Sequence, residues 1–441
     1  MKDNIMKKDI KDIFILSFPI IIENILQTLL GTTDTFFAGK LSDNAIAGIS
    51  ITNVIMNIFI SFFTAVSIGS MAVVSRNYGK KDFTRTKKAI AHSIVIGLSL
   101  GIFIGLICLI FYKQILLISG AKNTIINYVV PYYFSVAVPS VFLCLQLILS
   151  SSSRAIKDTK TPMYVIGLSN ILNITLNAIF IKLGLGVLGL GLATTISRAI
   201  STVLLLCRIL NHDKYIKLSK ADFLIDKGML KGILKISIPA GLDKLIMRIG
   251  QLIYYSMILS IGISEYVAHN IAGTIESYSY IPAMGFGLAI SALVGISMGE
   301  GRTKAAERYT YTGYSLAAIF MVIIGIIFYV FAEPLASIFT ETKRVKLLVV
   351  DVLHIIAFFQ PFSALVQIIT NALQGAGDTK FPMYSTIVGI WGIRLAIGYL
   401  LAVPLKYGLR GVWYAYALDL VVRGIILLIR FKKGKWKQIK I

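Results

Sequence analysis

Asp158-Thr-Lys-Thr-Pro-Met-Tyr164 returns in the second half of the chain as Asp378-Thr-Lys-Phe-Pro-Met-Tyr384, with six of seven positions matching. The same offset carries Ser17 and Pro19 onto Ser237 and Pro239, and Glu23 onto Asp243. It also carries Val74 and Gly79 onto Val294 and Gly299, and Gly191 onto Gly411. One offset that serves positions spread through each half, without a net gap, marks a duplicated unit.

The residues around these motifs say what was duplicated. Apolar types make up 56% of the 441 residues and charged types only 15%. Soluble domains carry roughly a quarter charged residues, so this is a membrane chain. A bilayer-crossing helix needs about 20 mostly apolar residues. Twelve segments qualify: 13–38, 46–75, 89–112, 124–153, 162–181, 187–207, 232–260, 265–298, 309–331, 347–376, 381–404 and 411–430. Each repeat copy then holds six spans, and an even number makes the copies parallel across the membrane. The expected fold is all-α: two six-helix bundles related by an axis along the membrane normal, a common transporter plan. The expected division is 1–210, a polar linker 211–231 with Asp213, Asp222 and Asp226, and 232–441.

The formal charge of +23, from 44 Lys+Arg against 21 Asp+Glu, invites a nucleic-acid reading. Sorting the bases by loop removes that reading. With the N-terminus inside, the inner segments and tails hold 30, the outer loops 9, and the spans 5. The positive-inside rule therefore places both termini in the cytoplasm, and the tails suit anionic lipid. Nucleic acid is not an expected partner; lipid and small organic substrates are, and a monomer is expected. Cys108, Cys144 and Cys207 lie in apolar runs with no metal spacing. The polar start Met1–Asp12 precedes an apolar run too long for a cleavable signal. Lys outnumbers Arg and Ile is abundant, which points to a bacterial cytoplasmic membrane. No nucleotide-binding loop, His-Glu-x-x-His pair or Gly-x-Ser-x-Gly elbow appears, so no enzyme activity and no cofactor are expected.

A family resemblance enters through Pro19, Gln27 and Thr33-Asp34-Thr-Phe-Phe-Ala-Gly39 in span 1, and Val74-Ser-Arg-Asn-Tyr-Gly79 after span 2. The Asp158 turn, Asn173 and Gly189-Leu-Gly-Leu-Ala-Thr-Thr195 complete it. On these the chain resembles the multidrug and toxic compound extrusion (MATE) family, closer to its DinF-like than its NorM-like branch. The resemblance implies a V-shaped pair of six-helix lobes that exports organic compounds, cationic or amphipathic, in exchange for H⁺ or Na⁺. The wider group leaves a second reading open, a flippase for a lipid-linked or peptide product.

Polar residues inside the spans are costly and need a purpose. Depth bookkeeping in the hairpin of spans 5 and 6 sets Asn177 opposite Thr195 and Asn173 opposite Arg198. Asn173 and Asn177 lie four apart, on one helix face. Asp34 sits at a depth similar to Asn177. These oxygens suit Na⁺ or a carboxyl that takes a proton. The alternatives are an Asp34 that snorkels outward and amides that only bridge helices. The offset maps Asp34, Asn173, Asn177 and Thr195 onto Tyr254, Ile393, Ile397 and Ala415, so the repeated fold does not require the cluster. The resemblance implies cation coupling at Asp34 with Asn173 and Thr195. The DinF-like branch has an acid where this chain has Asn177, which favours protons over Na⁺. The acids that the NorM-like branch adds in spans 7 and 10 have no match.

Pro19 permits a kink in span 1, and the resemblance implies that it responds to the cation. The second half has its own polar set. Arg248 and Glu276 fall at equal depth, as do Arg394 and Asp419, with Arg423 one turn from Asp419. These are buried structural pairs or a charged wall that meets substrate. Lys244, Tyr254, Tyr278 and Gln27 complete the candidate substrate contacts. His269 reads as structural or as a proton relay.

Overall fold

The computed structural model describes residues 2–121, 125–211 and 216–439; Asp213 lies outside them. The chain forms two compact units, Ile22–Gly241 and Met1–Ile21 with Leu242–Ile441. The linker expected between the halves therefore falls inside the first unit.

In chain order the helices are α1 (Lys2–Gly39), α2 (Asp43–Gly79), α3 (Phe83–Ile110) and the short α4 (Tyr112–Ile118). α5 (Ile126–Val136) and α6 (Val141–Ala155) follow, then α7 (Lys160–Lys182) and α8 (Gly186–Leu210). The second half repeats the series as α9 (Lys227–Ile261), α10 (Ile263–Gly299), α11 (Thr303–Val330) and the short α12 (Ala332–Ser337). α13 (Lys343–Ala357), α14 (Gln360–Gly375), α15 (Lys380–Thr386), α16 (Ala396–Ala402) and α17 (Gly408–Lys432) complete it. The duplication is visible in the boundaries: the repeat offset carries both ends of α2 onto those of α10, and both ends of α3 onto those of α11.

Among the described residues nine helical stretches are long and apolar enough to cross a membrane. The pairs α5–α6, bent by 46°, and α13–α14, bent by 58°, bring the number to eleven. α9 is the twelfth; it runs 35 residues but carries Asp243, Lys244 and Arg248 at its middle. Expected spans 4 and 10 are therefore each two helices. Expected span 11 is also not uniform, because Ile387–Leu395 between α15 and α16 is π-helical. Pro19 does not interrupt α1, which is helical throughout; the proline sits buried inside it.

Small residues set how closely these helices approach. On α3 a Cβ at Gly101 would lie 2.6 Å from Val141 Cα, and one at Gly105 would collide with Val138 O. Those glycines let α3 press on the bend between α5 and α6, the close packing that small residues permit in membranes.

The repeated motif is also explained. Asp158 accepts from Thr161 N at 3.1 Å and Thr161 Oγ1 at 2.8 Å, and faces Arg208 at 3.7 Å. Its counterpart Asp378 pairs with Arg430 at 2.8 Å. Each acid ties a turn to the last helix of its repeat. The residue before each acid is left-handed, Lys157 at φ 68° and Gly377 at φ 88°.

The first half of α1 packs within the second unit. Ile13, Leu16 and Ile20 share a core with Phe286, Ala289 and Leu293. Arg308 donates to Asp9, and Tyr309 Oη donates to Asp12 at 3.0 Å. The first half of α9 does the reciprocal thing in the first unit. A Cβ at Gly69 on α2 would collide with Ser237 Oγ and lie 2.7 Å from Ile233 O. Asp226 N donates to His92 Nε2 at 2.8 Å. Asp226 also caps α9, accepting from Gly228 N at 2.9 Å and Met229 N at 3.1 Å. The Met229 amide above all, with Gly228, Lys88 and His92, holds its carboxyl below the ordinary range against the opposing push of burial.

Candidate functional site

Asp34 lies near the C-terminal end of α1 and is 1% exposed. Three helices of its own unit converge on it. α5 supplies Tyr132, whose Oη donates to Asp34 Oδ2 at 2.8 Å. α7 supplies Asn177, whose Nδ2 donates to Oδ1 at 3.0 Å, and Asn173, whose Nδ2 donates at 3.3 Å. α8 supplies Thr194, whose hydroxyl donates to Oδ2 and accepts from Asn173 Nδ2 at 3.0 Å. Asn173 and Asn177 are also linked to each other at 3.2 Å, as four-residue spacing on one helix allows.

A buried carboxylate is tolerable only when its lone pairs are filled. Asp34 fills them with four neutral donors. Arg198, one turn beyond Thr194, adds an electrostatic interaction with Asp34 and Tyr132. Two atoms stay unpartnered, Asn177 Oδ1 and Arg198 Nε.

Of the residues named from the sequence, the fold brings together Asp34, Asn173 and Asn177. Thr195 is not among the contacts: its hydroxyl donates to Ser135 O on α5. The hydroxyl that reaches Asp34 is Thr194. One residue along a helix is a turn of about 100°, so neighbours at almost equal depth face different partners. Tyr132 was missed as well. Its signal is the polar-tipped Tyr132-Tyr133 pair inside an apolar span, but only the packing of α5 tells which of the two buried tyrosines reaches Asp34. Tyr133 instead donates to Cys108 O at 3.1 Å. Gln27 and Pro19 lie on α1, the first half-buried and the second buried.

In the other unit Arg394 reaches Asp419 through Nε at 3.0 Å and Nη2 at 2.5 Å, and Arg423 reaches the same oxygen at 2.9 Å. The Arg394 guanidinium lies 4.1 Å from the centre of the Tyr416 ring. Arg248 does not meet Glu276. It donates to Gln251 Oε1 at 3.1 Å. Glu276 Oε1 instead accepts from Tyr416 Oη at 2.8 Å and Tyr280 Oη at 3.2 Å. Equal depth in a hairpin fixes height but not direction around each helix, and here the directions differ. Tyr254 Oη donates to Val412 O at 2.8 Å, Tyr278 is exposed, and Lys244 is half-buried. His269 is ringed by Tyr254, Tyr255 and Trp413, and its Nδ1 has no partner.

The MatE family model matches residues 19–179 and again 239–400. The Thermotoga maritima protein called "Probable multidrug resistance protein NorM" is 28% identical over 97% of this chain and 93% of its own length. The Bacillus subtilis "Uncharacterized transporter YisQ" is 27% identical over 97% of this chain and 95% of its own. Among solved structures, a MATE protein crystallised in a bent conformation superposes with a TM-score of 0.91 at 22% identity, covering 99% of this chain and 98% of that one. A Vibrio cholerae MATE transporter superposes with a TM-score of 0.91 at 18% identity, covering 98% and 99%.

Proposed function

Because the chain belongs to the multidrug and toxic compound extrusion (MATE) family of membrane transporters, we propose that it exports amphipathic organic compounds in exchange for protons taken up at Asp34. The observation that carries this reading is the full set of donors on one buried carboxylate: Tyr132, Asn173, Asn177 and Thr194. The setting is a bacterial cytoplasmic membrane, with both termini inside and the single chain as the working unit. The 30 bases of the inner segments support that orientation.

The choice of proton over Na⁺ follows from the donor set. A hard cation takes several oxygen ligands. The two Asp34 carboxylate oxygens, Thr194 Oγ1 and Asn173 Oδ1 already accept hydrogen bonds, and Asn177 Oδ1 is unpartnered and buried. Four N–H and O–H groups aimed at one point solvate an anion, not a cation. Na⁺ does not fit this arrangement. A proton fits with one small change. When Asp34 takes it, a hydroxyl donor turns away, and the new O–H finds an acceptor in the Asn177 amide whose nitrogen already touches Asp34.

Protonation removes the anion that holds α1 against α5, α7 and α8. α1 passes from one compact unit to the other just after Pro19, at Ile21, and Pro19 lacks the N–H that would donate to Ile15 O and stiffen the turn leading into that passage. We place the responding bend there. The test is efflux from everted vesicles or proteoliposomes, with Na⁺ and pH gradients imposed separately. Asp34→Asn should express normally and lose proton-driven efflux. Efflux retained in that variant, or driven by Na⁺ alone in the wild type, sinks the proposal.

A further inference from the structure

Five basic residues lie in the interior of the spans, away from their ends: Arg198, Lys244, Arg248, Arg394 and Arg423. Arg394 and Arg423 are both held by Asp419, and Arg198 acts on Asp34 and Tyr132. Lys244 and Arg248 are left without a counter-charge. Among the described residues neither forms an ion pair. Glu276, the acid expected to answer Arg248, is taken by Tyr280 and Tyr416. Asp243 precedes Lys244 in the chain but is turned about 100° round the helix; it is buried, and its Oδ1 has no partner.

The two cations also stand where neither can escape to water along the helix. Lys244 is the central residue of α9. At about 1.5 Å per residue the helix ends are about 25 Å away, far beyond the reach of a side chain. Charged groups at such depth face a bundle interior or a water-filled space rather than lipid. Lys244, Arg248, Gln251 and Tyr255 follow one another at spacings of four, three and four, a single polar stripe along one face of α9. Lys244, Arg248 and Gln251 are half-buried and Tyr255 is 38% exposed. Gln251 accepts one hydrogen bond from Arg248 and leaves the rest of that guanidinium's donors free for a ligand.

We infer that Lys244 and Arg248 form a subsite for the anionic group, a carboxylate or phosphate, of an amphipathic substrate. The inference rests on the reading of the chain as an exporter. It narrows the substrate class to molecules that bring the missing negative charge. Arg248 supplies planar paired donors, Lys244 a point charge one turn away, and Tyr255 an aromatic face for the apolar body beside the charge.

The test is equilibrium binding to the full-length protein in phosphatidylcholine nanodiscs, with no ion gradient. The probe is a dansyl-labelled eleven-carbon chain ending in a carboxylate, compared with its neutral amide and its trimethylammonium counterpart. Wild type should bind the carboxylate at least about tenfold more tightly than the amide, as a charge-assisted contact predicts. Lys244→Gln with Arg248→Gln should weaken carboxylate binding at least about tenfold, so that carboxylate and amide bind alike. Arg248→Lys, which keeps the charge, should retain part of it. Equal binding of the three probes, preference for the trimethylammonium form, or a preference that survives in the double variant overturns the inference. So does loss of carboxylate binding when phosphatidylglycerol replaces phosphatidylcholine, which assigns the pair to bilayer lipid. Because no gradient is applied, failure of proton coupling at Asp34 leaves this result readable, and the reverse also holds.

Discussion

Asp34 and Glu276 are both buried acids, 1% and 5% exposed, and neither forms an ion pair among the described residues. Their surroundings differ in kind. Glu276 is held on one oxygen by two phenols, whereas Asp34 is held on both by two amides, a phenol and an alcohol. Thr194 and Tyr132 are the donors that can turn away, because a hydroxyl hydrogen rotates about one bond whereas an amide N–H does not. Thr194→Ala should therefore displace the pH profile of efflux by about one unit or more, since a hydrogen bond to a charged group contributes about 1.5–3 kcal/mol. Thr195→Ala, which loses only a bond to Ser135 O, should leave that profile in place. Similar profiles for the two variants would remove Thr194 from the set. The contrast also shows what the sequence could carry. Polar residues at matching depth made Asp34, Asn173 and Asn177 readable. The choice between adjacent threonines, and between Tyr132 and Tyr133 as the partner of Asp34, depends on rotation about the helix axis. Hydrophobic pattern does not fix that rotation to within one residue.

Elements carry the same lesson. The twelve spans and their offset were legible because apolar length and repeated punctuation are written directly in the residues. The breaks inside spans 4 and 10 were not, since an apolar run reads the same whether straight or bent by 46°. The π segment Ile387–Leu395 was also invisible. Such segments are rare and are found frequently at functional sites; this one contains Arg394, which pairs with Asp419. Gly389 belongs to that arrangement, because a Cβ there would collide with Asp419 Oδ1. Gly389→Ala should force Asp419 aside and leave Arg394 and Arg423 poorly paired. Disturbing a buried pair costs about 3–5 kcal/mol, so the purified variant should melt well below wild type. Gly392→Ala, on the same segment with nothing within 4 Å of its Cβ, should be neutral or slightly stabilising. Equal melting of the two variants would show that the close approach at Gly389 is not needed.

At the scale of the whole molecule the duplication is more entangled than a linker between halves suggests. The unit boundaries, after Ile21 and after Gly241, are themselves related by the repeat offset. Each copy therefore sends the first part of its first helix into the core of the other unit. Chemistry enforces the exchange at matched positions. Lys88 on α3 faces Asp226 at 3.9 Å, and its counterpart Arg308 on α11 pairs with Asp9. Each base meets an acid at the start of the crossing helix. His92 reinforces the first contact through the Asp226 amide, and Tyr309 reinforces the second through Asp12. A fragment cut at the composition boundary, residues 1–210, lacks Ile233 and Ser237 against Gly69. It also leaves Ile13, Leu16 and Ile20 without Phe286. A fragment of residues 22–241 keeps one whole unit and exposes neither face. Expressed separately in detergent, 22–241 should be the more helical and the more monodisperse, and should resist proteolysis longer. If 1–210 matches it in all three, the linker is the true boundary and the exchanged helix ends contribute little to either core.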